Sequence, residues 1–173
     1  MKVKILTGLI LLLSFCSFAN DSQNYILGAG DKIEIKVFGQ PDLDVTSLLS
    51  NSGEINYPFL GKVKLAGLNT SEIEQVITEG LKPDYLVNPN VYVQVIEYRP
   101  FYIHGEVENP GAYPYQPAMT VNQAIALAGG LTERASTDKI FIFKEQTKQQ
   151  QQKGSLNSQI AAGDTIKIEQ RLF

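Results

Sequence analysis

The chain has 173 residues, 43% of them hydrophobic, and carries a formal net charge of −3. This is ordinary globular composition, enough for one domain or two small ones. A mildly acidic chain without a basic stripe is a poor match for nucleic acid, so that class of partner is excluded.

Residues 1–19 read as a cleavable secretory signal peptide. Lys2 and Lys4 form the positive end, residues 5–15 the apolar run, and Ser17-Phe18-Ala19 the cleavage site. The apolar run is too short to span a bilayer convincingly, and no later run is long enough. Cleavage before Asn20 removes two lysines and no acids, leaving 13 basic and 18 acidic residues and a charge of −5. It also removes Cys16, so the mature chain is expected to hold no disulfide and no thiol chemistry. A lipid anchor on Cys16 is the alternative. Phe15 stands before it, where lipoprotein signals carry a small residue.

Gly28-Ala29-Gly30-Asp31 leads into residues 32–38, where Ile33, Ile35 and Val37 alternate with Lys32, Glu34 and Lys36. That is the pattern of a half-buried strand. Residues 40–44 read as a loop, and residues 53–58 and 61–65 as short strands around Pro58-Phe59-Leu60-Gly61. Ser71 and Glu74 have the spacing of a capping box. Ile73, Val76, Ile77 and Leu81 mark one helical face, ended near Gly80 and Pro83. Val91, Val93 and Val95 alternate in the next strand, and a domain boundary is predicted near Arg99-Pro100.

Residues 101–107 read as a strand, with Gly105 and Glu106 at its turning end. Asn109-Pro110-Gly111 is a turn signal, with proline presetting φ at the second position and glycine supplying φ > 0 at the third. Residues 112–115 start the returning strand. Thr120 caps a helix, with Gln123 completing a capping box. Val121, Ala124, Ile125 and Ala128 form its apolar stripe, and Gly129-Gly130 ends it. Residues 140–143 read as a further strand and the polar run 147–154 as a solvated loop. Ala162-Gly163-Asp164 then opens a last strand with alternating isoleucines. It echoes residues 29–37, either as a common Gly-Asp turn entering a strand or as a real duplication. In both readings Asp31 and Asp164 are turn formers rather than catalysts.

The chain offers little for catalysis. His104 is the sole histidine and is most simply a satisfied strand residue, since no second His or Cys could join it at a metal. Glu106 and Glu108, two apart on a strand, would share one face, but that spacing does not specify a glycosidase pair. Gly28-Ala29-Gly30-Asp31 precedes a strand rather than a helix, so it is not a phosphate loop. No cofactor is expected. Tyr92, Tyr98, Phe101, Tyr102, Tyr113 and Tyr115 crowd the two middle strands. They serve either cross-strand packing or contact with sugar rings or protein. Tyr98, Arg99, Tyr102, Tyr113 and Tyr115 are the candidate contact residues.

Several of these motifs, in this order, carry a family resemblance. Gly105-Glu106-Val107, Asn109-Pro110-Gly111-Ala112-Tyr113 and Ala128-Gly129-Gly130-Leu131 resemble the soluble-ligand-binding β-grasp domain. Tyr25-Ile26-Leu27-Gly28-Ala29-Gly30-Asp31, Asn51-Ser52-Gly53-Glu54, Leu60-Gly61-Lys62-Val63 and Asn88-Pro89-Asn90-Val91 resemble a polysaccharide export domain. The whole is similar to the bacterial outer-membrane polysaccharide exporters in a short form. The resemblance implies an α+β fold: a small mixed-sheet export domain over 25–99, then a β-grasp-like domain over 100–173. It implies a non-catalytic conduit or gate for exopolysaccharide or capsule export. Its expected partners are copies of itself in a ring, an inner-membrane copolymerase, and the polysaccharide. Larger relatives end in a pore-forming amphipathic helix, whereas this sequence stops after its last strand. The expectation is therefore a periplasmic protein, peripheral to the outer membrane, with a separate outer-membrane channel protein. The alternative is a periplasmic carbohydrate-binding protein.

Overall fold

A computed structural model describes residues 25–82, 84–147 and 150–171. The expected signal peptide and Cys16 lie outside the described residues. The first unit is built on β1 (Lys32–Val37), the middle of an antiparallel sheet with β2 (Val45–Leu48) on one side and β5 (Val91–Glu97) on the other. The register sets Ile33 and Ile35 opposite Val95 and Val93, so the alternation puts Ile33, Ile35 and Val37 on one buried face. β3 (Glu54–Tyr57) and β4 (Gly61–Lys64) form a hairpin. Helix α1 (Thr70–Leu81) adds Ile73, Ile77 and Leu81, and all these elements share one core with Leu27, Tyr57 and Leu65.

The second unit is a five-stranded mixed sheet in the order β7-β6-β10-β8-β9. The strands are β6 (Phe101–Gly105), β7 (Gly111–Tyr113), β8 (Ala135–Phe143), β9 (Gln151–Gly154) and β10 (Thr165–Gln170). β10 runs parallel to β6 and antiparallel to β8. Parallel neighbours need a long crossover, and this one carries α2 (Val121–Leu127). Val121, Ala124, Ile125 and Ala128 bury against Phe101, Ile103, Ile140 and Ile166 in a second core. The fold is α+β, as the resemblance implies.

The structure corrects several local expectations. The cap of α1 is Asn69, whose side chain accepts the Glu72 amide at 2.9 Å while the Glu72 carboxylate accepts the Asn69 amide at 2.8 Å. That reciprocal pair displaces Ser71 and Glu74 from the role. The helix then turns its 73/77/81 row inward and leaves Val76 outside. Residues 45–48 are a strand that the sequence did not announce. The polar run expected to be a loop contributes β9, an edge strand paired with β8; its polar side chains face water, so hydropathy does not reveal it. Strand β6 stops at Gly105, which takes Glu106 and Glu108 off the strand. Gly111 is an ordinary strand residue opposite Ile103, not a left-handed turn glycine. The left-handed position is Gly105, at φ 95°. A Cβ there would overlap the Ile168 carbonyl, because β10 passes directly against it.

Candidate functional site

The two sheets meet where β5 ends and β6 begins, and the two Ala-Gly-Asp turns face that junction. Each is a tight turn with glycine left-handed at its third position, Gly30 at φ 91° and Gly163 at φ 81°. In each the aspartate folds back on the amide three residues earlier. Gly28 N–H donates to Asp31 Oδ2 at 2.8 Å, and Ala161 N–H to Asp164 Oδ2 at 2.8 Å. Each turn leads into the central strand of its sheet. Each aspartate also holds the start of the segment leaving the neighbouring antiparallel strand. Arg99 N–H donates to Asp31 at 2.7 Å after β5, and Glu145 N–H to Asp164 at 3.4 Å after β8. Each is matched by a cation: Arg99 to Asp31 and Lys144 to Asp164, both at 2.6 Å. Both carboxylates are buried, so pairing is what makes their charge tolerable there. With their lone pairs spent this way, they are structural groups.

Arg99 joins the two units. Its guanidinium contacts Asp31 and the Tyr25 hydroxyl in the first, and its Nε and remaining nitrogen reach Glu145 Oε2 at 2.8 Å in the second. Backbone bonds run alongside, from Gly163 N–H to the Pro100 carbonyl and from Tyr102 N–H to the Asp164 carbonyl. Burial disfavours the charge on Arg99, but Asp31, Tyr25 and Glu145 outweigh it and hold the guanidinium more firmly protonated than usual. Burial, then the charge of Asp31, push the Tyr25 hydroxyl well above its ordinary value, so it remains a donor to that carboxylate. The same two causes raise Tyr98.

A cleft of about 440 Å³ opens over this junction. Tyr25, Tyr98 and Tyr115 line one side. Tyr98 meets Tyr25 edge-on at 4.7 Å between centroids and Tyr115 edge-on at 5.7 Å. Lys144, Glu145 and Gln159 also line the cleft. Of the sequence candidates, Tyr98, Arg99, Tyr115 and Asp164 come together here, with Asp31 behind Arg99 and the Gly30 and Gly163 turns beneath.

The remaining candidates lie elsewhere. Tyr102 is exposed on β6, in a neighbouring depression with His104 and Thr165. Tyr113 stacks on the buried Phe101 and donates to the Asn109 carbonyl at 2.6 Å. Glu106 accepts the Thr132 hydroxyl at 2.5 Å. Pro110 is exposed just before β7. Gly129 and Gly130 are left-handed at φ 86° and 101° and end α2. The loop after β6 then serves that helix end, with the Asn109 and Glu108 amides donating to the Ala128 and Gly130 carbonyls. These would otherwise be orphan acceptors. Tyr25, Lys144, Glu145 and Gln159 were not singled out from the sequence as contact residues. The repeated Ala-Gly-Asp was the available signal, since a buried aspartate needs a cation, but nothing local says which one.

Two family models match in tandem on either side of this junction. The polysaccharide biosynthesis/export protein model covers residues 19–96, and the SLBB domain model covers residues 100–155. The chain belongs to the polysaccharide export protein family. Among relatives, it is 34% identical over 134 residues to the exopolysaccharide production protein ExoF of Rhizobium meliloti, covering 69% of this chain and 31% of that protein. It is 29% identical over 159 residues to the polysialic acid transport protein KpsD of Escherichia coli, covering 86% and 28%. It is 27% identical over 182 residues to the EPS I polysaccharide export outer membrane protein EpsA of Ralstonia nicotianae, covering 85% and 48%. The chain thus spans between about a quarter and a half of the length of these family members. Among the described residues, no helix is long and apolar enough to cross a membrane.

Proposed function

We propose that this protein is a non-catalytic component of an extracellular or capsular polysaccharide export machine. Residues 25–99 form the export unit and residues 100–173 the soluble-ligand-binding unit. The observation that carries the reading is the tandem match of both family models, meeting at the junction that Arg99 clasps. Three of the acids considered for chemistry have structural partners: Asp31 and Asp164 in their turns, and Glu106 with Thr132. The role is then mechanical, holding a path or gate open for the polymer.

The protein works in the periplasm at the outer membrane, after secretion and cleavage before Asn20. It assembles as a ring of identical copies through head-to-tail contacts. An inner-membrane copolymerase and an outer-membrane channel protein complete the path. The names of the relatives support this setting, since one is an outer-membrane export protein and another a transport protein.

Gene deletion followed by weighing of secreted and cell-bound polysaccharide tests the reading. Secreted polymer is expected to fall to background and to return on complementation with the intact gene. Unchanged secretion in the deletion strain overturns it.

A further inference from the structure

The junction cleft has unspent hydrogen-bonding capacity beside its aromatic wall. Glu145 directs Oε2 to Arg99, while among the described residues Oε1 receives no hydrogen bond. Lys144 uses one ammonium proton on Asp164 and has two left. Both side chains are about one-third open to solvent, at 34% and 32%. The Tyr98 hydroxyl makes no hydrogen bond among the described residues, and Gln159 presents an exposed amide. The lining next to Tyr115 is fixed by the turn 116–119, closed by a bond from the Met119 amide to the Gln116 carbonyl. Its third residue, Ala118, is left-handed at φ 61° and lines the cleft. That conformation is costly for a residue with a Cβ and persists where the surroundings impose it.

Apolar ring faces beside mixed donors and acceptors suit a ligand with an apolar face and a rim of hydroxyls. The charge pattern narrows the class. Among the described residues the cations at the cleft, Arg99 and Lys144, are paired with carboxylates, and Asp31 stands behind Arg99. Among the described residues these two cations face three carboxylates, Asp31, Glu145 and Asp164, so the charge there does not favour a uronate or a phosphate.

We infer that the cleft at the junction of the two sheets is a binding site for a short neutral saccharide, stacked on the tyrosine wall and hydrogen-bonded by Tyr98, Lys144, Glu145 and Gln159. The volume of about 440 Å³ falls within the range of small-ligand sites. The inference rests on the export reading for the presence of a polymer, and goes beyond it in placing sugar on this chain and naming its charge class.

The test uses the purified secreted form and saturation-transfer NMR with maltotriose, cellotriose, mannotriose and trigalacturonate, followed by amide shift mapping. At least one neutral trisaccharide is expected to bind and to shift the amides of Tyr98, Gln159 and Ala161, while trigalacturonate binds more weakly than it. Tyr98→Phe and Gln159→Ala, each removing one hydrogen-bonding group, should weaken that binding roughly three- to tenfold with an unchanged melting temperature. Absence of binding by all three neutral sugars, shifts mapped away from the cleft, or preference for trigalacturonate overturns the site. If neutral sugars do not bind yet gene deletion stops secretion, the site falls and the export reading stands. If sugars bind in the cleft yet deletion leaves secretion intact, the export reading falls alone.

Discussion

Two glycines six residues apart in one motif have different physical roles. Gly105 is left-handed, and β10 runs so close that a methyl group would collide with the Ile168 carbonyl. Gly111 has an ordinary strand conformation, and the nearest atom to an added Cβ would be the Tyr113 ring at 3.7 Å. Gly105→Ala is therefore expected to cost about 2–4 kcal/mol, combining backbone strain with a clash against main chain. Gly111→Ala should stay within about 0.5 kcal/mol, as for an exposed site without special geometry. Denaturant melts of the two variants check this, and equal losses would contradict it. The motif marked both positions as turn glycines. Only the approach of β10, some 60 residues later, distinguishes them.

The two helices show how far local rules reach at the level of elements. Thr120 and Gln123 cap α2 as their spacing predicts, and the predicted stripe Val121, Ala124, Ile125 and Ala128 is buried while Leu127 is exposed. In α1 two overlapping caps compete, and the pair formed by Asn69 and Glu72 prevails. Asparagine caps at least as well as serine. The helix presents Ile73, Ile77 and Leu81 to the core. Asn69→Ala should cost about 1 kcal/mol, and Ser71→Ala, at an exposed position within the first turn, less than about 0.5 kcal/mol. Thermal unfolding of both variants checks the assignment; a larger loss from Ser71→Ala would reverse it. Edge strands behave differently. β2 and β9 exist because β1 and β8 offer them hydrogen-bonding partners, so their own residues need carry no marked pattern.

Across the whole molecule the decisive residue is Arg99. Its side chain is 12% exposed and Asp31 beneath it is fully buried, so it is committed to holding the two units together. Arg99→Leu would leave a buried carboxylate uncompensated, at about 3–5 kcal/mol. Asp31→Asn in the same chain should recover part of that loss. Chemical denaturation of wild type, single and double variants forms the cycle, and a single variant as stable as wild type would refute the clasp. Of the predicted contact residues, Tyr98 faces the cleft and Tyr102 is exposed on the sheet, so these two can be tested as surface residues without disturbing this tie.

The alternating isoleucines and valines of β1, β5 and β10, the apolar stripe and cap of α2, the α+β class and the order of the family motifs were all legible in the sequence. The strands, stripe and cap depend on neighbours within a few residues, where side-chain period and capping chemistry are nearly context-free; the class and motif order came from the resemblance. Which cation meets which aspartate was not legible. Arg99 lies 68 positions from Asp31 and Glu145 a further 46 from Arg99. The Ala-Gly-Asp repeat said that two carboxylates would sit at strand entrances. Only the folded chain set those entrances against one another, because a buried charge is satisfied by whatever the tertiary packing brings within about 3 Å, the reach of a hydrogen bond. The cleft above them has the same origin, since its walls come from segments that share no local pattern.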